Sequence, residues 1–446
     1  MKRTLIVGAF AVVAIAAAVK FASARSPQDP GQQQREAHGT SIHNPAPVAI
    51  PSSPSSDPAV ERGRYLAVAG DCVACHSVPG SGQPFAGGYR LETPFGALLS
   101  SNITQDKETG IGSWTQEDLA NALRKGKGKR GENLYPAMPY TAYAKLTDED
   151  VADLYAYLKT IPPVHNPVQS NQLPFPFNIR LMMSGWNLLF FDDAPLVDVP
   201  GKNAEWHRGR YLAEALEHCA ACHTPKNLLG GDASGKPYQG AVLQGWFAPN
   251  ITSDPATGIG GWSDEQLLRY LRQGNNDLAA ASGPMAEAVI NSTQYLTDTD
   301  LRAMVAYLRD IPGPKGVPAQ PLPLTDPRMV SGQRVFSANC VACHTGEGTG
   351  IDQMIAGFKG RPAVLSPHVE SLLNSILMGS RGAATAQSPT GAGMPAFDWK
   401  LSDQQIANVL TYLRNAWGNA AEPVSIETVS EARKALGAQA QLQTMH

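Results

Sequence analysis

The pentad Cys-x-x-Cys-His is written three times in this chain. It spans Cys72–His76 in "GDCVACHSVPG", Cys219–His223 in "HCAACHTP" and Cys340–His344 in "NCVACHTGEG", and the copies use all six cysteines of the sequence. Two thiols about one helical turn apart can add to the two vinyl groups of a haem, and the adjacent histidine then meets the iron. That is the signature of c-type haem attachment. Zinc also takes Cys-x-x-Cys, but paired zinc knuckles stand ~15–20 residues apart, and these pairs are more than a hundred residues apart. Six cysteines in an exported chain would ordinarily be disulfides, a reading that the regular pairing opposes. The sequence therefore predicts three covalent haem c groups on Cys72, Cys75, Cys219, Cys222, Cys340 and Cys343, with iron ligands His76, His223 and His344.

The remainder of the chain is organised as repeats. "RGRYLA" stands at 62–67 and again at 208–213; Asn102-Ile103-Thr104 returns as Asn250-Ile251-Thr252, followed each time by Thr-Gly-Ile-Gly and a tryptophan, Trp114 or Trp262. "TDEDVADLYAYLK" at 147–159 matches "TDTDLRAMVAYLR" at 297–309 and, more loosely, "SDQQIANVLTYLR" at 402–414. Those three segments carry apolar residues at three- and four-residue spacing behind Thr147, Thr297 and Ser402, which are good N-caps. No alternating strand pattern of useful length lies between them. The expected fold is all-α: three tandem helical domains at 59–165, 203–315 and 326–420, an apolar bridging segment at 166–202 and a tail at 421–446. The bridge, above all 173–191, is read as packed between domains or as a contact to membrane or partner; the tail reads as a solvated helix.

An iron held by one histidine takes a sixth ligand or stays open to substrate. Met138 in "LYPAMPY" lies 62 residues after His76, and Met285 in "ASGPMAEA" lies 62 residues after His223. Met394 in "GAGMPAF" lies 50 residues after His344. Each is read as sitting in a proline-bearing loop before the closing helix, with Met354 and Met378 as rivals in the third unit. Core packing is the usual use of methionine, and Met182, Met183 and Met304 are assigned to it. Methionine–histidine ligation raises the reduction potential and closes the iron, so the metal ligands expected are His76, Met138, His223, Met285, His344 and Met394. The loops 83–88 and 236–241 are expected to supply carbonyls to the axial rings.

Lys2 and Arg3 precede an apolar run from Leu5 to Val19, and Ala22-Ser23-Ala24 offers a cleavage site. Residues 1–25 are a signal peptide or a retained membrane anchor. Residues 26–58, rich in Pro, Gln and Ser, read as a disordered linker with a reach of roughly 30 Å. The formal charge of −3 leaves no basic field for nucleic acid.

The pentads, "LYPAMPY", "RGRYLAEALEHCAACHTPKN", "GWFAPNIT" and the repeated Asn-Ile-Thr, Thr-Gly-Ile-Gly and tryptophan together resemble the triheme cytochrome c subunits of bacterial membrane-bound dehydrogenases acting on alcohol, gluconate, sorbitol, fructose or aldehyde. The resemblance covers about 59–420 and implies three cytochrome c-like domains. It implies a subunit without catalysis of its own, at the periplasmic face of the inner membrane, relaying electrons from a flavin, quinoprotein or molybdenum dehydrogenase subunit to ubiquinone. Aldehyde or alcohol is the substrate expected of that partner. A peroxidase-type haem enzyme with one open iron, or a free periplasmic carrier, are the competing readings.

Overall fold

In the computed structural model the residues described are 50–51, 56–314 and 319–444, so the export segment and most of the linker lie outside them. Each unit opens and closes with a helix. Unit one has α1 (Pro58–Ala69) and α2 (Asp148–Leu158); α3 (Met182–Phe190) lies in the bridge. Unit two has α4 (Ala204–Tyr211), α5 (Pro284–Asn291) and α6 (Asp298–Leu308). Unit three has α7 (Pro327–Asn339), α8 (Glu370–Met378) and α9 (Asp403–Leu413), and the tail is α10 (Ile426–Thr444). The closing helices start where the sequence places them: the Thr147, Thr297 and Ser402 side chains accept from the backbone N–H three residues on, satisfying donors that a helix start leaves open.

The opening and closing helices of every unit cross at a glycine. A Cβ on Gly63 would stand 1.9 Å from the Asp153 carbonyl oxygen, one on Gly209 1.8 Å from that of Ala303, and one on Gly332 2.1 Å from that of Asn408. Tyr157, Tyr307 and Tyr412 lie over the same three glycines. The contact is backbone on backbone, so no side chain can be accommodated by rotamer change.

Units one and two share one hydrophobic core, which includes Leu66, Val73, Leu154 and Tyr157 of the first and Leu212, Leu216, Leu301 and Met304 of the second. Their contact is reciprocal. Tyr65 donates to Asp300 at 2.7 Å and accepts from the Thr297 N–H, while its counterpart Tyr211 donates to Asp150 and accepts from the Thr147 N–H. Unit three has its own core around Phe336, Ile406 and Val409. It meets unit two through Ser371 and Asn374 of α8, which bond the backbone of Phe247 and Gly245, and through His368 stacked on Phe247 at 4.6 Å.

Four sequence expectations change. Among the described residues three short antiparallel hairpins interrupt the helices: β1–β2 (Arg90–Thr93, Gly96–Leu99), β3–β4 (Ala241–Leu243, Trp246–Ala248) and β5–β6 (Ser380–Arg381, Gly393–Met394). Strands of two to four residues leave too little alternation to detect. The linker's end is packed: Tyr157 donates to the Pro51 carbonyl, Ile50 touches the core, and α1 begins at Pro58 under an Asp57 cap. The first part of the tail helix is packed rather than solvated: Val429 of α10 is fully buried and Arg433 bonds Asp403, Asp398 O and Leu401 O.

The bridge helix α3 buries none of its residues; Leu181 is 75% and Leu188 87% exposed, so Met182 and Met183 are not core. Met304 is. Polar anchors hold α3 down: the Trp186 indole donates to Leu229 O, and Asn187 accepts from the Tyr140 hydroxyl. No helix among the described residues is long and apolar enough to cross a membrane.

The glycine crossing yields a direct test. Gly332→Ala must part α7 and α9 and costs about 3 kcal/mol or more, as overpacking against backbone does. Gly185→Ala, in α3 with nothing within 4 Å of the new atom, is neutral or stabilising by up to ~1 kcal/mol. Denaturant midpoints of the two variants, followed by circular dichroism, measure the difference.

Candidate haem sites

The pentads sit on short turns directly behind the opening helices. In unit one, Cys72–His76 is a single helical turn entered through Asp71 in the left-handed region (φ 48°). In unit two the turn Ala220–His223 follows His218 at φ 38°. In unit three Val341–His344 follows α7 after Cys340. A left-handed residue breaks the helix abruptly and turns the pentad away from its axis. The opening helix is held by its glycine crossing, so the pentad inherits a fixed position.

All twelve residues expected from the sequence line one continuous cavity of 3930 Å³. Ordinary small-molecule pockets are roughly 300–1,000 Å³, so the space suits several large groups better than one substrate. The walls are mainly apolar, with Trp114, Leu123 and Leu154 in unit one and Trp262, Leu271 and Tyr270 in unit two. None of the six cysteines is in a disulfide. Burial pushes Cys72 and Cys75 up to about 12 and Cys340 up to about 11, keeping them neutral; a thioether at the same place removes the ionisable group altogether.

Each pentad histidine has one ring nitrogen engaged. His76 Nδ1 donates to the Ser101 carbonyl at 2.7 Å and His223 Nδ1 to the Pro249 carbonyl at 2.7 Å. His344 Nδ1 lies 3.4 Å from the Ala356 carbonyl. A carbonyl accepts only, so the proton is on Nδ1 and the Nε2 lone pair is left for a metal. Burial holds all three rings below the usual imidazole range, favouring that neutral form. Two thiols not tied up in a disulfide, a neutral imidazole with Nε2 available and an apolar wall are what a covalent haem needs at each site.

The ring-supporting carbonyls are not in the loops the sequence pointed to. Gly87 and Gly240 of those loops instead donate to the backbone carbonyls of His76 and His223. Ser101 and Pro249 come at the ends of the β1–β2 and β3–β4 hairpins, immediately before the repeated Asn-Ile-Thr. Asn102 Oδ1 accepts from the Thr104 N–H and hydroxyl while its Nδ2 reaches Thr109 and Val164 O, and Asn250 repeats the pattern with Thr252 and Thr257. The repeated motif was the available signal: it locks the segment whose carbonyl meets the ring.

The methionines are presented by three different elements. Met138 lies in a bend after Pro136, as expected. Met285 is in the first turn of α5, behind Pro284, and Met394 is in strand β6, paired with Ser380. Of the rivals, Met354 lines the cavity but is 56% exposed. Three acidic side chains escaped sequence reasoning. Asp71, Glu217 and Glu287 line the cavity where units one and two meet, and the buried Asp71 Oδ1 has no hydrogen-bond partner.

All three units are similar to known proteins. The family model described as cytochrome c matches three times, at residues 60–162, 207–312 and 329–417. The gluconate 2-dehydrogenase cytochrome c subunit of Pantoea cypripedii is 38% identical over 409 residues, covering 87% of this chain and 92% of that protein. The fructose dehydrogenase cytochrome subunit of Gluconobacter japonicus is 38% identical over 425 residues, covering 89% and 86%. The cytochrome c subunit of the quinone alcohol dehydrogenase of Gluconobacter oxydans is 36% identical over 380 residues, covering 81% and 79%.

The acidic cluster predicts a pH dependence. Burial raises Glu217 to about 8, with Ser292 Oγ 3.2 Å from its carboxyl opposing the rise, and burial and the Glu217 charge both raise Asp71. The folded state therefore binds more protons than the unfolded state. Stability falls as pH climbs from the ordinary carboxylate value of 4.5 to about 8 and then levels, in the direction linkage requires. Glu217→Gln makes that fall shallower, and chemical denaturation of the haem-loaded protein between those limits measures it.

Proposed function

This chain belongs to the cytochrome c family and carries three covalently bound haem c groups, and from that premise we propose that it is the electron-transfer subunit of a membrane-bound dehydrogenase complex. One observation carries the proposal: the three pentads and three distant methionines line a single continuous cavity. Haem supplies reversible one-electron chemistry; the protein supplies spacing, ligation and exclusion of water. Unit two touches both neighbours, which supports a relay running through it.

In this reading His76 and Met138, His223 and Met285, and His344 and Met394 are the iron ligands, and domains at 59–165, 203–315 and 326–420 each hold one haem. A haem iron held by both residues would have no open position for a peroxide or an oxidisable substrate, so we assign oxidation to a separate catalytic subunit. The subunit names of the gluconate, fructose and alcohol dehydrogenase relatives support such a partner, of flavin, quinoprotein or molybdenum type, with alcohol or aldehyde as its substrate and ubiquinone as the final acceptor. The apolar run at Leu5–Val19 supports export to the periplasmic face of the inner membrane. The exposed leucines of α3, with Leu228 at 95% exposure, support contact of that face with lipid or with the partner.

Met394→Ala retains three haems by pyridine haemochrome assay and loses one of three methionine–iron absorption signatures; an unchanged spectrum would move the ligand to Met354 or Met378. Fully six-coordinate haems bind carbon monoxide slowly and incompletely when reduced. Rapid, complete binding at any haem of the wild-type chain would revive an enzyme with an open iron. A large dehydrogenase subunit co-purifying from the membrane fraction separates a complex from a free carrier.

A further inference from the structure

The three axial histidines are supported in two ways. In units one and two the Nδ1 proton meets a carbonyl at 2.7 Å, supplied 25 and 26 residues downstream. In unit three the carbonyl of Ala356 comes only 12 residues downstream and stands at 3.4 Å, outside the range of roughly 2.7–3.2 Å for a good N–H···O bond. The His344 ring also packs on Phe358, its centroid 4.5 Å away with the planes 31° apart. Among the described residues, neither His76 nor His223 makes such a ring pair.

Phe358 is itself firmly placed. Its N–H donates to Gly348 O at 2.7 Å, its carbonyl accepts from Asn419 Nδ2 at 3.0 Å, and its ring stacks with Trp417 at 14°. Trp417 in turn donates to Gly346 O and packs on Phe336. Gly348, at φ 62°, lies directly under the Trp417 ring, where a Cβ would come within 2.8 Å. The aromatic stack is thus tied at both ends to the loop that follows the pentad.

A short Nδ1–H···O bond increases the basicity of imidazole as a metal ligand, which favours the oxidised iron; lengthening it withdraws that support. A hydrocarbon ring fixes the imidazole plane without donating into it. We infer that Phe358 is a positioning residue of the third site, orienting His344 by stacking in place of a short hydrogen bond and so making the third haem easier to reduce than that bond would allow. The inference rests on the ligand reading proposed above, in which His344 is the axial ligand.

The test is Phe358→Leu in the full-length, haem-loaded protein, with Phe358→Tyr as the conservative variant. Phe358 is half-buried at the cavity wall, so leucine keeps the apolar contact while removing the planar face. Three haems are retained. One of three low-spin electron paramagnetic resonance signals shifts, the midpoint potential of that haem becomes more negative as the ring settles toward Ala356 O, and Tyr restores both. Signals and potentials that all stay in place, or a potential that moves positive, overturn the inference. Fewer than three low-spin signals in the oxidised wild type would instead defeat the ligand reading, and this inference with it; three wild-type signals that the variant leaves untouched defeat the inference alone.

Discussion

The contact on which everything else depends is the crossing of opening and closing helices at Gly63, Gly209 and Gly332. Each opening helix leads into the turn that carries the pentad, and each closing helix follows the methionine segment, so the crossing fixes both segments relative to one another. Because a backbone carbonyl occupies the space a Cβ would need, the crossing distance cannot drift with side-chain rotamers. Close backbone packing of this kind costs the flexibility glycine brings to a helix, and the tyrosine over each glycine offsets that by burying its ring.

Units one and two are joined more intimately than a chain of independent domains requires. Tyr65 and Tyr211 each reach across to the cap of the other unit's closing helix, so each unit completes the other's helix start. The first two pentads are consequently drawn to one interface, with Asp71, Glu217 and His218 between them. Charges in so apolar a place are costly, and burial accordingly pushes the Asp71 and Glu217 carboxyls above their ordinary range. Unit three, with a separate core, is attached by α8 to the β3–β4 hairpin of unit two.

Much of this was legible because the signals are local. Thr147, Thr297 and Ser402 announce helix starts through side-chain chemistry that acts over three residues, and Cys-x-x-Cys-His acts over five. The spacing of Met138 and Met285 was legible because the units are duplicates. The carbonyls of Ser101 and Pro249 were not, since any residue supplies a carbonyl and only the fold decides which one meets a ring. The tail misled because its anchoring positions, the buried Val429 and the half-buried Arg433, are few and the Arg433 partner Asp403 lies 30 residues away in sequence, beyond any periodic pattern.

The third unit shows what a haem site of this kind must keep and what it can exchange. It keeps the glycine crossing, the capped closing helix and the pentad. In units one and two the hairpin precedes the segment that buttresses the histidine. In unit three the hairpin comes later, and its second strand carries Met394, while a short loop and Phe358 take over the histidine. The interval from histidine to methionine is 50 residues in place of 62, although a hairpin falls within it in every unit. Fixed spacing is therefore a consequence of duplication; in the ligand reading proposed above, the physical requirement is two anchored residues facing one apolar space, and unit three meets it with its hairpin beside Met394 rather than beside the histidine's carbonyl.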